Sequence, residues 1–183
     1  MLSSPNPGLS IRPIRDDERA ELARVVARSW GSSLLASRGA LYEVTDLTCL
    51  LATQADRWLG VAGYRFDGDA CELVLLDAFE RHQGVGTALL EATAEIARKS
   101  NSRRLWLVTT NSNLDALRFY QRRGMHLVRV WVDAVMENRR NLKPEIPLAG
   151  DFGIPIRDEL ELEIVFRDID DPSEDRADQR GTA

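Results

Sequence analysis

Apolar positions along this chain follow two periods. Leu9 to Arg15 reads as a first strand. Asp16 and Asp17 can cap the helix behind it, where Leu22, Val25 and Val26 share a face. From Trp30 to Asp46 no period holds, which predicts an irregular stretch with one short helix. Thr48 to Gln54 and Trp58 to Phe66 predict a hairpin around Ala55-Asp56-Arg57. Asp67-Gly68-Asp69 is a turn signal, and Cys71 to Ala78 is the next strand.

The period then becomes helical. Val85, Leu89, Ala92 and Ile96 form one apolar stripe between Gly84 and Lys99, with Arg98 and Lys99 at the negative end of the dipole. Arg104 to Thr110 predicts a strand. A helix follows, capped by Ser112 or Asn113 and ended at Gly124. Leu127 to Val132 is a strand and Ala134 to Asn141 a short helix. Lys143 to Ile156 holds three prolines and two glycines, a loop composition. Glu159 to Phe166 alternates, with Leu160, Leu162, Ile164 and Phe166 on one face. Residues 1–8 read as a flexible N-terminus, and 167–183 as a charged, disordered tail. One α/β (α+β) domain over 9–166 is the expectation, a mixed sheet with helices on its faces.

The strongest chemical signal sits where strand gives way to helix, at Arg81-His82-Gln83-Gly84-Val85-Gly86-Thr87. The first N–H groups of a helix lack internal partners and carry partial positive charge, so such a turn suits a phosphate. Gly84 and Gly86 remove side chains that would hold a phosphate off. A dinucleotide fingerprint needs a third glycine near position 89, which is leucine, and an acidic residue after the next strand, which ends Val108-Thr109-Thr110. No Gly-Lys-Ser/Thr follows, so a P-loop is excluded. A plain strand–helix turn without a ligand stays open at this point.

A second segment, Asn113-Leu114-Asp115-Ala116-Leu117-Arg118-Phe119-Tyr120-Gln121-Arg122-Arg123-Gly124-Met125, lies one strand further on. Together the two segments resemble the GCN5-related N-acetyltransferases, the GNAT superfamily. Arg81, Gly84 and Gly86 fit its Arg/Gln-x-x-Gly-x-Gly/Ala signature for acetyl-coenzyme A. Asn113, Ala116, Phe119, Tyr120 and Gly124 fit its second signature, with Met125 replacing the usual aromatic. The resemblance covers residues 9–132. It implies a mostly antiparallel sheet of about seven strands. It also implies a wedge between the strand of Leu75 and Leu76 and the strand of Leu107 and Val108, where the pantetheine arm lies.

The reaction so implied moves an acetyl group from a thioester to an amine by direct attack. An amine of pKa near 10.4 is neutral in about one part in two thousand at pH 7, so a base helps. The resemblance makes Glu72 the first candidate base and Tyr120 the acid that protonates the departing thiolate. It places main-chain contacts at Leu75 and Leu76 and the diphosphate on Arg81, His82, Gln83, Gly84, Val85, Gly86 and Thr87. Asn113 and Tyr120 complete the cofactor set. The alternative is an idle acyl-coenzyme A sensor, which needs the phosphate turn but neither Glu72 nor Tyr120. By the resemblance, residues 28–45 and 133–158 form the acceptor pocket, with Trp30, Arg38, Tyr42, Glu137, Arg140, Asp151 and Asp158 as candidates by location and a small-molecule amine preferred to a protein; the latter segment could instead join two copies. Arg118, Arg122 and Arg123 read first as a solvated face, with an approach to the cofactor's 3′-phosphate as the alternative.

Composition narrows this further. A chain of 183 residues with 44% hydrophobic content suits one soluble domain. Net charge of −5 argues against nucleic-acid or anionic-membrane partners. No apolar run approaches a membrane span, and no leader is visible at Met1-Leu2-Ser3-Ser4-Pro5, so a cytoplasmic location is expected. Cys49 and Cys71 read as buried hydrophobes, and no ligand spacing predicts a metal.

Overall fold

The computed structural model describes residues 8–55, 57–80 and 83–166. Asp56, Arg81, His82 and both termini, residues 1–7 and 167–183, lie outside that set, as do the expectations that fall on them.

The chain starts with strand β1 (Leu9–Pro13), a 3-10 turn at Asp16–Glu18 and helix α1 (Arg19–Trp30). A small hairpin follows, β2 (Leu34–Ser37) and β3 (Ala40–Glu43). Next come β4 (Thr48–Gln54), β5 (Arg57–Asp67), β6 (Ala70–Ala78), α2 (Val85–Lys99) and β7 (Arg104–Thr110). The chain continues through α3 (Leu114–Gln121), β8 (His126–Trp131), α4 (Ala134–Asn141) and β9 (Glu159–Val165).

Seven strands form one sheet in the order β1-β4-β5-β6-β7-β9-β8. Every neighbouring pair is antiparallel except β6–β7, whose crossover is α2. The two faces carry separate cores. Val85, Leu89 and Leu90 of α2 pack on Leu73, Leu105 and Leu162. Leu22 and Val26 of α1 pack with Leu35, Leu51, Val61 and Leu75 on the other side. Gly60 lets α2 lie directly on the sheet: a Cβ there would stand 2.6 Å from the Asp77 carbonyl oxygen and 2.8 Å from Val85 Cγ1.

The stretch from Trp30 to Asp46 departs from its reading as irregular. It folds as the β2–β3 hairpin and a 3-10 turn at Val44–Asp46. The hairpin turns at Arg38 (φ 48°) and Gly39 (φ 76°), an Arg-Gly pair in place of the usual Asn-Gly. Arg38 holds this left-handed backbone because its guanidinium is trapped, 4.0 Å from the Trp131 ring centroid and 5.4 Å from that of Trp106. The 143–156 loop carries a 3-10 turn at Asp151–Gly153 and one bridge, Ala149 to Pro155.

Candidate active site

Strands β6 and β7 pair only at Ala70–Arg104, Cys71–Leu105 and Glu72–Trp106. Beyond that point they part. A bulge marks the place: Gly63 faces Leu75 and Tyr64 faces Leu73, so Val74 is an extra residue. Val74 and Leu75 therefore both lean toward α1, while Leu76 and Ala78 turn to the α2 side. Phe79 donates its amide to Leu59 O (2.9 Å). Strand alternation then aims the amides of Leu76 and Ala78 away from β5, into the wedge, and that of Leu75 toward β5.

The wedge leads to the start of α2. Gly84, at φ 77°, takes the left-handed conformation that delivers the chain into the helix. The first intrahelical bond runs from Ala88 N–H to Gly84 O, so the amides of Val85, Gly86 and Thr87 have no acceptor within the helix. A Cβ at Gly86 would stand 3.2 Å from Phe119 Cζ, so α3 packs tightly on this first turn. Asn113 caps α3, its side chain accepting from Ala116 N–H at 3.1 Å. Gln83 is exposed, and its side chain donates to Glu80. Arg81 and His82 lie outside the described residues.

Arg123 departs from the solvated-face reading. It stacks on the Phe119 ring at 3.6 Å and donates to Thr87 Oγ1 at 2.8 Å. Burial, then the neighbouring Arg122, lower its pKa. A cation thus stands beside the open helix end. Tyr120 is buried, edge-on to Phe119, and burial pushes its hydroxyl above the usual phenol value. Its proton is held at all neutral pH values, as a proton donor requires.

Glu72 lies on the α1 side of β6, only 1% exposed. Ser37 of the hairpin donates to one of its oxygens (2.6 Å) and Arg65 to the other (2.8 Å). Two more glutamates share this face. Glu159 accepts from Arg38 N–H (3.1 Å) and from Asn138 of α4 (2.9 Å). Glu161 accepts from Trp131 Nε1 (2.8 Å) and Arg104 (3.0 Å). Burial raises the Glu159 pKa against these bonds. Lys143 fastens the hairpin from the far side, donating to Leu34 O at 2.6 Å. The hairpin is therefore clamped over a filled polar layer, with Glu72 sealed in its floor. Sequence reasoning assigned only the leucine face of β9; the glutamate face looked like ordinary solvent-facing alternation.

Asp158, another acceptor candidate, is a loop brace: it takes the Asp133 amide at 2.8 Å and pairs with Arg157. Trp30 and Asp77 meet instead, indole N–H to carboxylate, at 3.1 Å. Asp77 had no sequence signal beyond its place at a strand end. Cys49 and Cys71 are buried, and burial pushes their thiols up to about 11 and about 12, which leaves them unreactive. Among the described residues, no three His, Cys, Asp or Glu side chains gather as a metal site. None of the described helices is long and apolar enough to cross a membrane.

The wedge between β6 and β7 thus leads to a helix start whose first three amides find no acceptor within the helix. The family follows: a model described as "Acetyltransferase (GNAT) family" matches residues 13–125, and the chain belongs to that family. It is similar to the uncharacterized protein YxbD of Bacillus subtilis (strain 168), 43% identical over 136 residues, which are 74% of this chain and 85% of the relative. It is also similar to YdhI of the same organism, 36% identical over 151 residues, 82% of this chain and 94% of that protein. The fold matches a Bacillus subtilis acetyltransferase solved in complex with CoA at TM-score 0.63, with 19% identity, covering 87% of this chain and 99% of that one. It also matches a GNAT acetyltransferase of Elizabethkingia anophelis with acetyl-CoA bound at TM-score 0.61, with 19% identity and coverage of 87% and 99%.

Proposed function

We propose that this chain is an acetyl-CoA-dependent N-acetyltransferase that acts on a small-molecule amine by direct attack. The observation that carries the reading is the wedge between β6 and β7, open beyond Glu72–Trp106 and running to the amides of Val85, Gly86 and Thr87, which have no acceptor within the helix. Two structural neighbours hold CoA or acetyl-CoA, which supports the same ligand here. The residues present fit it: Gly84, Val85, Gly86 and Thr87 with Gln83 and Asn113 form the polar end, and Arg123 adds a positive charge beside Thr87. Bound there, acetyl-CoA supplies an activated carbonyl and a thiol leaving group.

The protein's part is positioning and proton movement. Main-chain N–H of Leu76 faces the wedge and stabilises negative charge on the carbonyl oxygen. One C–N bond forms and one C–S bond breaks. The amine nitrogen loses a proton, and the sulfur takes one from Tyr120. Glu72 accepts the amine's proton in a state where the hairpin has lifted and Ser37 has left it. The experiment is thiol release from acetyl-CoA over a panel of amines, with calorimetry of CoA binding. Binding with turnover supports the reading, and no heat from millimolar CoA overturns it.

A second reading has its own observation. Glu72, sealed with both oxygens filled, favours an acyl-CoA sensor without catalysis. Tight CoA binding with no turnover on any amine would select it.

A further inference from the structure

A cavity of about 580 Å³ lies between α1 and the end of β6, lined by Glu21, Val25, Arg28, Trp58, Asp77 and Phe79. It opens at the end of the strand that forms the wedge, since Asp77 follows Leu76 directly. Its charges do not cancel. Glu21 is tied to Arg24 at 2.6 Å and to Arg28 at 3.6 Å. Asp77 meets no cation in the described structure, only the Trp30 indole N–H on one oxygen. The second oxygen has no protein partner among the described residues. Trp58, Phe79 and Val25 supply apolar wall.

We infer that this cavity is the acceptor site, and that it takes a primary ammonium carried on an apolar, aromatic body, with Asp77 as the anchor. The carboxylate meets the ammonium, Trp30 keeps that carboxylate oriented, and Trp58 and Phe79 cover the body. A carboxylate paired with an ammonium is a charge-assisted bond, and such bonds discriminate by at least tenfold against an uncharged partner. Asp77 follows Leu76 directly, so the bond captures the ammonium at the mouth of the wedge, and the amine leaves Asp77 before it gives up its proton and attacks. The assignment rests on the acetyltransferase reading for what happens next, but not for binding itself.

The test compares phenethylamine with phenethyl alcohol, equal in body and different in charge, by tryptophan fluorescence of the full chain. The amine is expected to bind at least tenfold tighter. Asp77→Asn is expected to erase that difference while leaving CoA binding unchanged, and Asp77→Glu to restore part of it. In turnover, Asp77→Asn raises KM for phenethylamine more than it lowers kcat. Trp58→Leu, which leaves the carboxylate in place, is expected to weaken amine and alcohol alike. Equal affinities for the two probes, or discrimination unchanged in Asp77→Asn, overturns the assignment. So does a free-N-terminus tripeptide that is acetylated where phenethylamine is not. Intact discrimination with no thiol release from any amine overturns the acetyltransferase reading instead.

Discussion

Gly60→Ala tests whether α2, whose first amides have no acceptor within the helix, is held by direct contact with the sheet. The added Cβ would lie 2.6 Å from Asp77 O, 2.8 Å from Val85 Cγ1 and 3.1 Å from Leu89 Cδ1. The first neighbour is backbone, so it cannot swing aside. Either β6 or α2 must shift by several tenths of an ångström. Overpacking of this kind costs about 1–3 kcal/mol, and a backbone clash belongs at the upper end. Replacing glycine within a strand returns about 0.5–1 kcal/mol. The net loss is about 2 kcal/mol, which for a domain of this size lowers Tm by about 4–8 °C. Gly63→Ala is the control: its nearest neighbours are Leu47 Cδ1 at 3.1 Å and Leu75 Cβ at 3.3 Å, the first a flexible side-chain end. Scanning calorimetry of the three proteins reads the stability, and titration with CoA reads the helix position. Gly60→Ala should melt lower and bind CoA more weakly than Gly63→Ala. A Gly60→Ala protein with the parent's Tm and CoA affinity would refute the close-contact argument.

Tyr120→Phe should lower kcat on the order of 100-fold with little change in Tm, because the buried ring is kept and only the proton donor is lost; an unchanged kcat removes Tyr120 from the chemistry. Arg123→Ala should weaken CoA roughly tenfold in Kd by calorimetry, since it strips a cation and its bond to Thr87 from the helix start; unchanged affinity places the diphosphate elsewhere. Glu18 is held at a pKa of about 2 against an ordinary 4.5, mainly by the hydrogen bonds from Arg12. A depressed folded pKa stabilises above the unfolded value, so this contribution is whole above pH 4.5 and fades as pH falls toward 2. Urea midpoints across that window should drop more steeply for the parent than for Glu18→Gln, and parallel curves would contradict the pairing.

Periodicity made the main sheet and helices legible because each has a one-sided core. β4, β7 and α4 match their sequence-read bounds, and the remaining long elements fall within a few residues. The β2–β3 hairpin escaped because Arg-Gly is a weak turn signal, and what supports it is Trp131 and Trp106, far away in sequence. Glu159 and Glu161 escaped for a related reason. Alternating Glu and Leu normally means one wet face, and only the folded hairpin and α4 cover this one. Glycine spacing alone left a plain strand–helix turn open, and only the second segment from Asn113 to Met125 turned the reading toward a phosphate site. Asp77 was not, because nothing local marks the cavity that α1 closes beside it.

The inserted Val74 has a consequence for how this strand can vary. Up to Leu73 the odd-numbered residues look toward α2; from Leu76 onward the even-numbered ones do. The parity of the strand flips once, between its floor and its mouth. Were the same residues to run on in unbroken alternation, without the bulge, every position from Leu75 onward would exchange faces, carrying the Asp77 carboxylate into the greasy layer under α2. The bulge itself, more than the identity of any one side chain, therefore decides what each residue at the mouth presents to either layer.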